Sequence, residues 1–187
     1  MKNDNFIYHY KDNLKSKRLV TRFLNINDIE IWSNFFKDKE AIQYFLPLRF
    51  NTNKEVAEYW IKSQIKRYEE NQFGLQALIN KKTNNFIGQC GLITQEVDGT
   101  KEIEVGYHIM KKYWGNGFAP EAAKLFIEFA FENNLSDSII SIIKKENLKS
   151  QKVALKNGLT KEKETKWKNI NVYIYRIEKN KKTSTNE

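Results

Sequence analysis

The chain has 187 residues, 40% of them hydrophobic, and a formal net charge of +9. This length favours a single domain with enough apolar residues for a core. One cysteine excludes an intramolecular disulfide, no stretch has the apolar run of a signal peptide, and none approaches the ~20 apolar residues of a membrane span. We therefore expect a cytoplasmic protein without a membrane span. The basic charge attracts anions without identifying them, and solvated lysines account for it equally well.

The N-terminal third is predicted to be mostly helical. Residues 1–16 show no clear pattern and are treated as an N-terminal extension, and the alternation in 18–23 predicts a strand. Residues 27–45 predict one or two short helices with their aromatic residues facing inward. Residues 52–71 predict a longer helix, with Glu55 in the capping-box position of its first turn.

The pattern then changes to strands. Residues 73–80, 85–97 and 101–110 are separated by short turn sequences, which predicts an antiparallel meander. The apolar run at 136–143 is typical of a strand buried on both faces. Because a helix precedes it, we expect this strand to lie parallel to 101–110 in a β–α–β unit.

The C-terminal part predicts a short helix at 147–158, followed by a hairpin of 160–167 and 171–178. Together the elements predict a mixed α/β sheet: antiparallel first, then one parallel crossover, then a hairpin. The predicted domain spans 17–178, and the polar residues 179–187 are expected to form a flexible tail.

The segment KKYWGNG, residues 111–117, joins a predicted strand to a helix with a regular apolar stripe. Two of the chain's 8 glycines, Gly115 and Gly117, flank Asn116 in it. They are typical of a plain strand-to-helix turn, or of an anion site in which phosphate oxygens reach the N–H groups at a helix N-terminus. Pro120 stands where a Rossmann fingerprint needs its third glycine, and no Walker A G-K-[ST] follows.

The segment EIEVGYHIMKKYWGNGFAPEA (102–122) contains E-h-G-Y and Y-W-G-x-G-x-A-x-E-A, where h is a hydrophobic residue. Three further segments are NFIGQCGL (85–92), NLKSQKVALKNGL (147–159) and RLVTRFLNINDIEIW (18–32). In this chain order, the four resemble the GNAT acetyltransferase superfamily, and more closely its RimJ/RimL-type branch. The resemblance covers roughly residues 17–178.

The resemblance implies a GNAT fold whose fourth and fifth strands, 102–110 and 137–143, splay apart around acetyl-CoA. The pyrophosphate would lie on backbone amides of the loop and helix start: Lys112, Gly115, Asn116, Gly117, Phe118 and Ala119. The pantetheine amides would pair with strand backbone near Tyr107, His108 and Ile109. Asn147 would contact the cofactor beside the thioester.

The sequence departs from the family pattern at three places. Lys112 replaces the usual Arg or Gln, which backbone binding tolerates, and Leu159 replaces the usual Phe after Gly158. Ala154 stands where many GNAT enzymes carry a tyrosine that acts as general acid. The RimJ/RimL-type branch often lacks that tyrosine, so the acid is left unassigned.

Glu104, which matches the glutamate of the branch's E-h-G-Y motif, is the candidate general base for an acetyl transfer, because a carboxylate beside the thioester can accept the proton of the attacking amine. Strand alternation places Glu104 and His108 on one face, unless a bulge near Gly106 interrupts it. The alternative for Glu104 is an exposed carboxylate paired with a lysine. His108 is either a second candidate base or a histidine packed on the sheet.

Ser150 is a further catalytic candidate, and it either hydrogen-bonds the thioester region or caps its helix. Cys90 is interpreted as a small buried hydrophobe rather than a nucleophile. The sequence has no metal-binding motif.

The function that the resemblance implies is an N-acetyltransferase acting on a primary amine: a protein N-terminus, such as that of a ribosomal protein, or a small molecule. The acceptor would enter between the N-terminal helices and the last hairpin, and the positive charge disfavours a polyamine. The alternative is a non-catalytic acyl-CoA-binding module with the same fold. No basic, aromatic RNA platform is present, which argues against a nucleic-acid partner. The branch resemblance implies a homodimer.

Overall fold

The computed structural model of the protein describes residues 10–46 and 49–179. The strands in this part of the chain are β1 (Leu19–Arg22), β2 (Leu75–Asn80), β3 (Phe86–Val97), β4 (Thr100–Ile109), β5 (Ser138–Lys144), β6 (Thr160–Trp167) and β7 (Ile170–Glu178). The helices are α1 (Asp28–Lys37), α2 (Lys39–Ile42), α3 (Asn53–Glu69), α4 (Phe118–Glu132) and α5 (Leu148–Lys156). A 3₁₀ turn, Lys111–Tyr113, leads from β4 towards α4.

The strands form one mixed sheet in the order β1-β2-β3-β4-β5-β7-β6. Strands β1 to β4 are antiparallel, β4 and β5 are parallel, and β5, β7 and β6 are antiparallel. The predicted meander, parallel crossover and terminal hairpin are therefore confirmed, as is the mixed α/β class. The register between β4 and β5 contains a single pair, Glu104 with Ile140, so the two strands separate beyond that point.

The two faces of the sheet carry separate cores. Helix α4 buries its apolar stripe, including Ala122 and Phe126, against Val105 and Ile109 of β4. Helices α1 and α3 cover the opposite face with Trp32, Phe35, Phe36 and Ile61, among others. No helix in the described ranges has the length and hydropathy of a membrane span.

Local signals define several helix ends. Thr52 and Glu55 form the capping box predicted for α3. Gly158 follows α5 with a φ of 80°, which glycine adopts without strain. At α1, Asn27 makes no capping bond with its side chain, and Asp28 instead accepts two hydrogen bonds from Arg22.

Residues 10–16, assigned from the sequence to an extension, pack on the domain. The Tyr10 ring is buried, and its hydroxyl donates to Gly74 O and accepts from the Leu92 N–H. Lys15 forms a bridge with Val20 of β1. The rest of the predicted extension and most of the predicted tail, residues 1–9 and 180–187, lie outside the described residues.

The bulge considered near Gly106 does not occur in the pairing of β3 with β4. That register runs without a shift from Val97 opposite Thr100 to Gly88 opposite Ile109. Alternation along β4 is therefore regular, and Glu104, Gly106 and His108 share one face of the sheet. This is the face covered by α1 and α3.

Candidate active site

The loop before α4 presents backbone amides at a helix N-terminus. Gly115 and Gly117 have φ values of 77° and 76°, a left-handed conformation that favours glycine. Among the described residues, no hydrogen bond uses the N–H groups from Gly115 to Ala119. These unpaired donors and the helix dipole together favour an anion.

Arg18, just before β1, contacts this loop. Its guanidinium donates to Asn116 O at 2.8 Å and pairs with Glu121 of α4 at 2.6 Å. It also lies 4.3 Å from the centre of the Phe118 ring. Burial would raise the pKa of Glu121, but hydrogen bonds from Ser16 and Arg18 outweigh it and lower that pKa. Arg18 and Glu121 thus form an ion pair beside the loop.

The two lysines of the loop have different surroundings. Lys111 turns towards α2, where its ammonium lies 2.9 Å from Glu40 and 3.6 Å from Asp38. Lys112 lies over the Tyr113 ring at 4.9 Å. Lys111 is therefore neutralised by acidic side chains, whereas the ammonium of Lys112 lies beside an aromatic ring.

Backbone groups of β4 are left open where β5 diverges. Met110 N–H donates to Ile87 O, so the even-numbered residues of β4 hydrogen-bond to β3 and the odd-numbered residues face β5. The backbone of Tyr107 therefore lies on the open edge, whereas that of His108 faces β3. Ile109 also faces the opening, where its carbonyl accepts from Trp114 Nε1 at 2.7 Å.

Glu104 lies at the point where β4 and β5 separate. Its carboxylate accepts from Gln95 Nε2 at 2.8 Å and from the Ile142 N–H at 3.3 Å. Burial raises its pKa from 4.5 to about 7, although the bonds from Gln95 and Ile142 and the charge of Lys168 oppose the rise. Glu104 makes no ion pair with another described residue, so it is not a surface carboxylate paired with a lysine.

Tyr107 and Ser150 connect β4 to the start of α5. The two hydroxyl oxygens are 2.7 Å apart, and the Tyr107 hydroxyl also donates to Ser150 O at 3.0 Å. Asn147 is the N-cap, because its side-chain oxygen accepts the Ser150 N–H at 3.0 Å. The suggestion that Ser150 caps the helix is therefore wrong. Burial raises the pKa of Tyr107, which keeps its phenol protonated.

His108 packs among aromatic rings. The ring centres of Phe45 and Trp60 are 4.8 and 5.3 Å from its imidazole. Burial lowers its pKa to about 4, so the ring is neutral at physiological pH. Within residues 10–46 and 49–179 no hydrogen bond involves its ring nitrogens, so packing is its observed contact.

Cys90 is buried beneath the opposite face of the sheet, and burial raises the pKa of its thiol. This environment fits a small hydrophobic residue rather than a nucleophile. Among the described residues, no group of three or more His, Cys, Asp or Glu side chains is placed to hold a metal ion.

Residues 7–160 match the Acetyltransferase (GNAT) domain family. The chain belongs to this family. Its sequence is 28% identical over 174 residues to the uncharacterized N-acetyltransferase p20 of Bacillus licheniformis, covering 89% of this chain and 96% of that protein. The family and fold expected from the four motifs are confirmed.

Solved structures show the same GNAT fold. A GNAT-family acetyltransferase from Bacillus anthracis has a TM-score of 0.74 and 22% identity, covering 90% of this chain and 99% of that chain. Mycobacterium smegmatis RimJ in complex with CoA-disulfide has a TM-score of 0.72 and 16% identity, covering 86% of this chain and 81% of that chain.

Sequence reasoning missed several contributors to this GNAT site. Arg18 contacts the loop from 98 positions away, and no local pattern indicates such a contact. Gln95 lies nine positions from Glu104, in the neighbouring strand. In the register of β3 and β4, Gln95 is paired with Glu102, which lies two residues before Glu104 on the same face of β4. A correct alignment of the two strands would therefore have placed Gln95 diagonally beside Glu104.

Proposed function

We propose that this protein transfers an acetyl group from acetyl-CoA to a primary amine. The observation that carries the proposal is the placement of Glu104 where β4 and β5 separate. A carboxyl group with a pKa of about 7 exchanges a proton readily near neutral pH, which is what a general base requires. The family membership of the chain supports the same reaction.

The loop and the β4 edge would hold the cofactor, which supplies an acyl group activated as a thioester. The N–H groups from Gly115 to Ala119 suit a pyrophosphate, with Lys112 as a neighbouring cation. The open backbone of Tyr107 and the N–H of Ile109 suit the amides of pantetheine. The complex of RimJ with CoA-disulfide supports this choice of ligand.

Proton movements are assigned to two positions. Glu104 accepts the proton of the acceptor amine, directly or through a water. The Ser150 hydroxyl, hydrogen-bonded to Tyr107, can donate a hydrogen bond to a leaving thiolate, and the proton that the thiolate takes up comes from solvent. Asn147 caps α5 and so orients its first turn, which carries Ser150. The NH₂ group of Asn147 is available to a ligand.

The acceptor is a protein N-terminus, such as that of a ribosomal protein, or a small-molecule amine. A homodimer and a cytoplasmic location remain predictions.

The test is incubation with acetyl-CoA and a panel of peptides and small amines, with detection of free thiol and the mass of the product. We expect thiol release that depends on the amine, and a product heavier by one acetyl group. If acetyl-CoA binds and no amine in the panel is acetylated, the non-catalytic acyl-CoA-binding module takes the place of the enzyme.

A further inference from the structure

Glu104 and His108 lie on the face of β4 that is directed towards α1 and α3. Gly106 lies between them and is partly exposed, although β4 is a central strand. A Cβ added at Gly106 would meet only Leu75 Cδ2 at 3.4 Å and Ile93 Cδ1 at 3.5 Å. The stretch of β4 from Glu104 to His108 is about 13 Å long, at ~3.3 Å per residue, and its middle residue carries no side chain. We call this stretch the Gly106 trough, defined by Glu104, Gly106 and His108.

The end of the trough away from Glu104 is aromatic. Phe45, Trp60 and His108 pack on one another with ring centres 4.8 to 5.3 Å apart, and all three are partly exposed. Because His108 is neutral, this end presents apolar ring surface without a formal charge.

A buried donor lies beneath these rings. Gln89 pairs with His108 across the two strands and is fully buried. Its Oε1 accepts from Trp60 Nε1 at 2.9 Å, but its Nε2 has no partner among the described residues. A buried NH₂ group without a hydrogen-bond partner costs free energy. A ligand that places an acceptor atom next to this group therefore binds better than one that does not.

We propose that the Gly106 trough is the acceptor subsite, and that it binds a primary amine whose uncharged, apolar body carries a carbonyl oxygen hydrogen-bonded by Gln89 Nε2. The amine lies at Glu104, the chain of the acceptor crosses Gly106, and the apolar group packs on Phe45 and Trp60. This inference rests on the proposed function, since it assumes that the amine reacts at Glu104.

Gln89 is shielded in this structure, so the acceptor reaches it only when a covering ring shifts. Phe45 is the candidate for that movement, because it is partly exposed and contacts both His108 and Trp60.

The surroundings disfavour a cationic body. Gln89 Nε2 is a donor and would repel a positive group. Glu102, on the same face of β4, is engaged by Arg176 at 2.7 Å and is not available to a ligand. Aromatic rings alone attract cations weakly unless the charge is desolvated, and Glu104 is the one carboxylate among the three residues that define the trough.

The experiment compares two acceptors with the same backbone, alanyl-phenylalaninamide and alanyl-lysinamide. Their binding is measured by titration calorimetry and their turnover by thiol release. We expect the phenylalanine compound to have at least a 10-fold higher kcat/KM and tighter binding. Equal use of both compounds, or preference for the lysine compound, overturns the proposal.

Two variants test the hydrogen bond. Gln89→Met keeps the approximate shape but removes the donors, and we expect affinity and kcat/KM for alanyl-phenylalaninamide to fall about 10-fold. Gln76→Met is the matched control, because Gln76 is also a buried glutamine with one unpaired atom and lies on the opposite face. The control should lose stability without a change in affinity; equal losses of affinity in both variants contradict the subsite.

The two proposals fail in different ways. Selective binding of alanyl-phenylalaninamide, lost in Gln89→Met but without thiol release, leaves the subsite standing and removes the proposed function. If both dipeptides are acetylated with equal efficiency, and this efficiency is unchanged in Gln89→Met, the proposed function stands and the subsite is removed.

Discussion

The Gly106 trough lies on the C-terminal half of β4, and the loop before α4 follows the end of that strand. The two regions are built in different ways. The loop offers backbone N–H groups between Gly115 and Ala119, and its shape depends on two left-handed glycines. The trough offers side chains, in which burial has moved the pKa of Glu104 up and that of His108 down. Backbone binding suits a constant cofactor, whereas side chains set reactivity and choice of acceptor.

The difference also concerns tolerance to substitution. Side chains in the loop can vary as long as the glycine conformations remain, which is how Lys112 can replace the usual Arg or Gln. In the trough, by contrast, we expect a single added methyl group or one lost proton acceptor to change binding or catalysis. Each of the following predictions tests one side of this contrast.

The largest effect is expected in the loop from Gly117→Glu, which places a carboxylate beside the amides and should abolish thermal stabilisation by acetyl-CoA. Gly99→Glu is the matched control. Gly99 has a φ of 78°, close to the 76° of Gly117, and open space around it in the β3–β4 turn, so backbone strain and added charge are similar. Melting curves with and without acetyl-CoA give the answer. A folded Gly117→Glu protein that is still stabilised like the control would remove the pyrophosphate assignment.

In the trough, Glu104→Gln should lower kcat by roughly 10²-fold and leave acetyl-CoA binding unchanged, because glutamine is nearly isosteric but accepts no proton. The wild-type rate should rise with pH through about 7, where Glu104 ionises, and this limb should be absent from the variant. The deficit should shrink at high pH as the free amine loses its proton. His108→Gln should have a smaller effect.

The pH–rate profiles of both variants with one acceptor decide this point. Near-wild-type turnover of Glu104→Gln from pH 6 to 9 contradicts the base assignment, and catalysis then rests on positioning of an amine that is already deprotonated.

A smaller effect is expected from Gly106→Ala, which adds one methyl group to the floor of the trough. The nearest atoms lie at 3.4 and 3.5 Å and φ at Gly106 is not positive, so the fold should accept alanine. We expect the KM for an acceptor amine to rise about 10-fold, in line with ~1.4 kcal/mol of lost contact, while the KM for acetyl-CoA stays constant. A parallel rise in both constants would place Gly106 outside the acceptor path.

The smallest effect is on stability. The folded pKa of Glu104 is raised, so its contribution to stability is present below the unfolded pKa near 4.5 and is lost as pH rises through about 7. Glu104→Gln should therefore gain stability relative to wild type between pH 4.5 and 8, on the order of 1–3 kcal/mol, or ~2–4 °C per kcal/mol. Glu96→Gln, at an exposed position of β3, should show no such trend. A constant difference across this pH range contradicts burial as the cause of the shifted pKa.

Much of the fold could be predicted because its signals are local. The capping box of Thr52 and Glu55, the stripe of α4 and the turns between β2, β3 and β4 each lie within a few residues. The loop belongs to the same class, since its glycines are adjacent to the helix they precede. Resemblance to a family then connected these local pieces in the correct order.

The chain itself therefore determined the order of strands and helices and the glycines of the loop, because these signals are local. Glu104 and Ser150 became candidates through the resemblance to the GNAT family. Only the tertiary structure decided their surroundings. Arg18 reaches Asn116 across 98 residues, and Gln89 meets Trp60 and His108 from a separate strand. Burial, which raises one pKa and lowers another, depends on which distant side chains exclude water from a group, and no local pattern contains that information.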